Sequence, residues 1–262
     1  MRTVSVGILI GLLSILSSFG FVLAEPCKGR GIQFFLGPEI YHVQRVKEGG
    51  AEQTGTLYGV RGGFERIKRY KFYYALDGLF SRGMLWGKVN GNHIKSKFTN
   101  STIETRFGYT FQTKFEPWFS FTPFIGAGYL SEYNQYVHPS PIKIHFDNQF
   151  FYVPLGFLSS FYPTNQLQLG LNVTVRCYWD ANQRVTHDPM FSDQEQCFEE
   201  HIQYRIELPI TYDFFWKQHC LAMRFTPFYE YRHYGHRANY PFDFLDTKFK
   251  FFGANFEILY RF

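Results

Sequence analysis

Apolar and polar residues alternate with a period of two along most of the chain after residue 30. At the C-terminal end Phe252, Ala254, Phe256, Ile258, Tyr260 and Phe262 alternate with Gly253, Asn255, Glu257, Leu259 and Arg261. A period of two places the two sets on opposite faces of a β-strand. The clearest segments lie further upstream. Leu167 to Cys177 sets Leu167, Leu169, Leu171, Val173 and Val175 against Gln168, Gly170, Asn172, Thr174 and Arg176. Ile202 to Phe214 alternates Ile, Tyr and Leu with Gln203, Arg205, Glu207, Thr211 and Asp213, and Leu221 to Arg232 does the same against Arg224, Glu230 and Arg232. Strict alternation over this length fits a tilted strand crossing a bilayer, whereas strands of soluble proteins usually stop at about five or six residues.

Weaker segments run on the same rule. Phe72, Tyr74, Leu76 and Phe80 oppose Lys71, Tyr73, Ala75 and Asp77; Ile103 and Phe107 oppose Glu104 and Arg106; Phe119, Phe121, Ile125 and Tyr129 oppose Ser120, Thr122, Gly126 and Gly128; Phe151, Val153 and Leu155 oppose Tyr152, Pro154 and Gly156. The first strand is expected to bulge near Gly37-Pro38, and the second, around Tyr58 to Phe64, is glycine-rich. The chain thus parses into ten strands, with eight as the alternative if the second pair is misread. Connections alternate short (Arg66–Arg69, Thr113–Pro117, Pro163–Asn165, Trp216–His219) and longer (Lys47–Gln53, Trp86–Lys97, Asn134–Asn148, Asp180–Glu200, Gly235–Asp246). The pattern predicts an all-β transmembrane antiparallel up-and-down β-barrel with short periplasmic turns and long extracellular loops.

Composition agrees with this reading. Aromatic residues make up 21% of the chain, with 32 Phe and 19 Tyr, while mean hydropathy is only −0.24. Aromatic girdles at both membrane interfaces account for that combination. Arg2, an apolar run from Val4 to Val22 and Val22-Leu23-Ala24 read as a signal peptide over 1–24, leaving 25–262 as a single barrel domain. Later in the chain no apolar run is long enough for a helical span. The net charge of +5 is modest and spread. It fits outer-membrane lipid and lipopolysaccharide as partners and not nucleic acid.

The inward set under these phases holds Arg61, Lys71, Asp77, Glu104, Arg106, Arg176, Arg205, Glu207, Asp213, Arg224, Glu230, Arg232 and Glu257, with Glu65 beside them. A barrel of eight to ten strands has room for its own side chains or a thin water path. Buried charges there must pair, because each would otherwise carry a desolvation cost of several kcal/mol. A filled, rigid lumen is the expectation, with a narrow channel for small solutes as the alternative. Of the four cysteines, Cys177 and Cys197 are expected at the outer end and Cys27 and Cys220 at the periplasmic rim. That topology predicts bridges Cys177–Cys197 and Cys27–Cys220 in an oxidising compartment.

Two clusters could carry chemistry. His233 and His236 lie three apart on a strand end, a spacing that does not bring two imidazoles to one face of a strand, so no metal site and no cofactor are expected. The stretch resembles the His-x-Ser-Asn motif of lipid A deacylases, but Gly235 stands where the serine would be. His187-Asp188 with Asp193 resembles the His-Asp pair of omptin-type proteases, but no paired acids occur in Trp86–Lys97. An outer-rim hydrolase is therefore the minor alternative, with no catalytic residue assigned.

The closing Tyr260-Arg261-Phe262, with its aromatic end, resembles the terminal strand of bacterial outer-membrane barrels, and the whole chain after residue 24 resembles the small group that includes the OmpA-type membrane domain and Opa-like surface antigens. The resemblance implies the outer membrane as location, with Tyr260 and Phe262 as the signal read by the outer-membrane assembly machinery. It implies a structural or adhesive surface protein that meets a host or other extracellular ligand through its outer loops.

Overall fold

The computed structural model describes residues 31–68, 70–89, 91–112, 118–141, 143–188, 193–197, 201–216, 219–235 and 246–262. The expected signal segment lies outside these residues. The chain forms strands β1 (Ile32–Lys47), β2 (Ala51–Arg66), β3 (Phe72–Val89), β4 (Asn92–Tyr109), β5 (Phe119–Val137), β6 (His145–Phe161), β7 (Leu167–Thr186), β8 (Gln194–Cys197), β9 (His201–Glu207), β10 (Ile210–Trp216), β11 (His219–Tyr234) and β12 (Thr247–Arg261). Each pairs antiparallel with its neighbour, and β1 closes on β12 from Gln33↔Arg261 to Lys47↔Thr247.

Twelve strands make ten staves. Strands β8, β9 and β10 descend along β7 in one unbroken register, shown by Asn182↔Cys197, Arg176↔Gln203 and Leu169↔Ile210. The break between β9 and β10 falls at Leu208-Pro209, where proline has no N–H to give the ladder. The Pro209 carbonyl still accepts from the Gly170 N–H at 2.7 Å, so the wall stays closed.

The strands run 16 to 20 residues in β1 to β7, well beyond the alternating segments legible in the sequence. Trp86–Lys97, expected as a long loop, is mostly ladder: Trp86 faces Lys95, Lys88 faces His93, and Gly91 at φ +82° turns the chain. Above the bilayer the outward face no longer needs to be apolar, so the period-two signal fades while the hydrogen-bond ladder continues. Likewise β5 extends to Val137 and β7 to Thr186, taking in much of two other expected loops.

No bulge occurs at Gly37-Pro38. Strand β1 keeps one register with β2 through Gly37↔Arg61 and Pro38↔Val60. The bulge lies between β6 and β7 instead, where Tyr152 faces Tyr178 and Phe151 faces Asp180. The glycine-rich second strand pairs along its whole length with β1 and β3, which confirms ten staves over eight.

Outward positions form the lipid belt: Leu36, Ile40, Val60, Phe80, Ile103, Phe107, Ile125, Phe256 and Ile258 are all exposed. In water these would be a large aggregation-prone surface; in a bilayer they meet acyl chains. The core lies inside the barrel and is partly aromatic. Tyr41, Phe98, Phe150, Phe228, Tyr234, Phe249 and Phe251 pack together from different walls toward the outer end.

Candidate functional site

The lumen is where the chain concentrates its chemistry. Strand alternation carries one polar or charged side chain inward every second residue, and closure of the sheet brings the walls together. On β2 the Arg61 guanidinium donates to Asp77 on the neighbouring strand at 2.9 Å and to Glu207 on β9 at 3.0 Å. Arg205 donates to Glu207 at 2.7 Å, to Glu230 at 3.0 Å and to Glu39 at 3.3 Å. Glu104 accepts from Arg106 at 2.5 Å, from Arg176 at 2.8 Å and from the Tyr152 hydroxyl at 3.0 Å. Arg232 reaches Glu132 on β5, whose carboxylate also accepts from Tyr234 at 2.9 Å.

These charges are buried. Glu39 and Glu132 are 0% exposed and Arg232 only 2%. Their desolvation is offset by multiple, mostly charge-assisted hydrogen bonds. Aromatic faces take the guanidinium planes: Arg205 lies 3.7 Å from the Phe228 ring centre and Arg232 lies 4.5 Å from that of Phe251. Close packing depends on small residues as well. A Cβ on Gly128 would fall 2.3 Å from the Tyr152 ring, so glycine there leaves the space in which Tyr152 reaches Glu104.

Toward the periplasmic end the filling loosens. A polar cavity of about 630 Å³, counting the space open to solvent, is lined by Glu65, Asp77, Arg106, Glu207, Arg224 and Glu257 among others. Arg224 donates to Glu65 at 2.6 Å and to Glu257 at 3.5 Å. At the rim Arg261 pairs with Asp213. At the opposite mouth the aromatic end of β5 reaches inward: the Tyr136 hydroxyl donates to Gln53 at 3.2 Å and accepts from Arg45 at 3.3 Å.

Of the lumen residues read from the sequence, Arg61, Asp77, Glu104, Arg106, Arg176, Arg205, Glu207, Asp213, Arg224, Glu230, Arg232 and Glu257 all face inward. Lys71 does not. It is exposed in the turn before β3, its N–H bonded to the Lys68 carbonyl at 3.2 Å, because the ladder begins only at Phe72. Glu39 and Glu132 were missed. The inward phase Ser120, Thr122, Gly126, Gly128 carried on by two steps reaches Glu132, while the misplaced bulge hid Glu39.

Cys177 is an exposed free thiol, so the expected bridge to Cys197 is not formed. Cys177 lies on β7 and Cys197 on the β8 strand paired to it, but Cys197 is registered to Asn182. At about 3.3 Å per residue that puts it ~16 Å from Cys177, beyond disulfide reach. Cys220 is fully buried at the start of β11. Cys27, its expected partner, lies outside the described residues.

The outer-rim clusters are dispersed. His187, at φ 62°, lies against His145 with 4.3 Å between ring centres, while Asp193 pairs with Arg184 at 3.5 Å. His233 contacts Asp246 on the outside of the wall; His236 lies outside the described residues. Burial would raise the Asp246 carboxyl, but hydrogen bonds from His233 and Lys248 hold it below the usual carboxylate range. No group of three metal-ligating side chains occurs among the described residues. At the closing seam the Phe262 N–H donates to the Ile32 carbonyl at 3.1 Å, and its ring meets Phe34 at 5.3 Å and Tyr260 at 5.2 Å.

No family model and no curated protein matches the chain. Among solved structures it is similar to the outer membrane protease OmpT from Escherichia coli, at 10% identity over 90% of this chain and 98% of that one, with a TM-score of 0.57. It is also similar to the translocator domain of the autotransporter NalP from Neisseria meningitidis (8% identity, 98% and 96% covered, TM-score 0.47). The transport unit of the autotransporter AIDA-I from Escherichia coli follows at 11% identity, 97% of both chains and 0.44. At such identities the likeness is one of fold, and fold does not carry function. The chain has the closed antiparallel β-barrel fold of bacterial outer-membrane proteins.

Proposed function

We propose that the protein is a non-conducting, non-catalytic surface barrel: a rigid outer-membrane scaffold, structural or adhesive, whose extended outer hairpins meet an extracellular ligand. The observation that carries this reading is the crossing of the lumen by buried ion pairs, Arg61–Glu207 and Arg205–Glu39 among them, under an aromatic layer. A solute would have to break several charge-assisted bonds at once, each worth more than an ordinary hydrogen bond. The outer hairpins support a binding role because paired strand holds them at fixed positions, which lowers the ordering cost of recognition. Purified protein in a planar bilayer tests the reading: no stepwise conductance is expected, and steady unitary currents would overturn it.

A narrow channel is the second reading, favoured by the polar cavity beside Arg106, Arg224 and Glu257 at the periplasmic end. It requires the outer layer to open, and the same recording at raised voltage or after outer-hairpin removal distinguishes the two. We further propose that assembly uses Tyr260 and Phe262, and that Cys27 and Cys220 form the periplasmic bridge.

A further inference from the structure

The outer edge of the lipid belt is uneven. Around most of the wall it ends in aromatic side chains: Tyr129 against Phe151, Phe151 against Trp179, Tyr204 against Tyr231, and Tyr229 against Phe252. On β3 and β4 it ends in cations. The apolar positions Val60, Phe80 and Ile103 are each more than half exposed, and directly above them on the same face stand Arg82, Lys97, Lys95 and Lys88.

Register fixes their arrangement. Arg82 faces Thr99, Met84 faces Lys97, Trp86 faces Lys95 and Lys88 faces His93. Arg82 and Lys97 are therefore diagonal neighbours across one strand pair, about 7–8 Å apart at the backbone. Lys95 sits over the exposed Trp86 ring at 4.0 Å. Its backbone is pinned by Ser140, whose Oγ accepts from the Lys95 N–H and donates to the Lys95 carbonyl, both at 2.7 Å. Among the described residues, none of these four cations forms an ion pair with a carboxylate. The nearest acids on this face are Glu52, opposite Lys88 and bonded to Gln44, and Asp147, beyond Tyr133 on the far side of β5.

Arg82, Lys97 and Lys95 gather on the β3–β4 pair with no carboxylate registered opposite any of them across that pair, an arrangement at the membrane edge that is unfavourable unless an anion meets it. Tyr58, opposite Arg82, and the apolar strip below offer a surface for acyl chains. We propose that the β3–β4 face is a binding site for an anionic outer-leaflet glycolipid, whose phosphate groups lie among Arg82, Lys97 and Lys95 while its chains run down over Val60, Phe80 and Ile103. Arginine supplies planar two-point recognition of a phosphate, the lysines point charges, and Trp86 the interfacial anchor.

Native mass spectrometry of the full chain in detergent, titrated with bisphosphorylated lipid A, tests this. The triple variant R82Q/K95Q/K97Q is expected to bind about tenfold or more weakly, since interfacial cations attract anionic lipid headgroups. K248Q/K250Q, which removes charge from β12, is expected to bind like the wild type. Lipid A stripped of phosphate is expected to bind the wild type as weakly as the intact lipid binds the triple variant. Equal loss in both variants, or undiminished binding of the dephosphorylated lipid, would overturn the proposal. Heat-modifiable electrophoretic mobility reports folding of each variant; should the triple variant not fold, R82Q and K97Q singly carry the same comparison.

Discussion

Arg61 on β2 and Glu207 on β9 meet across the lumen at 3.0 Å although the sequence separates them by 146 positions. Arg61 also holds Asp77 on its own side, and Glu207 also holds Arg205 on the other, so the pair ties two walls into one network. Replacing one member of such a buried pair leaves the other charged and unpaired, at a cost of about 3–5 kcal/mol. Glu207→Gln is therefore expected to lower the urea midpoint of the folded barrel clearly. The double variant E207Q/R61M should lose less than the sum of the two single variants. Simple additivity in that cycle would show that the two groups do not interact.

Phe150 sits at the centre of the outer aromatic layer, 4.9 Å from Tyr234 and 5.0 Å from Tyr178 between ring centres. Phe150→Ala is expected to destabilise by about 3–5 kcal/mol, as large-to-small changes in packed cores do. Because the charge network below remains, conductance in planar bilayers should stay absent. Currents from this variant would place the barrier in the rings alone.

Gly128→Val tests the space that Tyr152 occupies. The new side chain would displace the ring and break its bond to Glu104. The expected result is a loss of near-ultraviolet circular dichroism intensity with the far-ultraviolet strand signal retained. An unchanged near-ultraviolet spectrum would mean that Tyr152 does not need the gap.

The cysteines make a chemical prediction. Under non-reducing conditions Cys177 should alkylate in the folded protein with a membrane-permeant maleimide, while peptide mapping should find Cys27 linked to Cys220. A Cys177–Cys197 peptide would contradict the register of β7 with β8.

Phe262 closes the seam through one backbone bond and two ring contacts. Phe262→Ala is expected to reduce the amount assembled in the outer membrane severalfold while the refolded protein changes its urea midpoint only slightly. A large fall in the midpoint with normal assembly would make Phe262 a packing residue and nothing more.

The sequence by itself determined the fold class and most of the lumen. A bilayer forces the outward face of each spanning strand to be apolar, so alternations such as Leu167 to Arg176 and Leu221 to Arg232 reveal both faces at once. The same signal vanished where that force is absent. Above the bilayer Trp86–Lys97 reads as loop although it is ladder, and at the β3 edge Lys71 reads as lumen although it is turn. Only the tertiary structure decided which charge meets which. Glu39 with Arg205, Glu132 with Arg232 and Arg61 with Glu207 are brought together by closure and stagger of the sheet, quantities set by the whole ring of staves. Closure also kept Cys197 away from Cys177 and gathered Arg82, Lys95 and Lys97 on one face, because register along a strand pair and not distance along the chain fixes those neighbours.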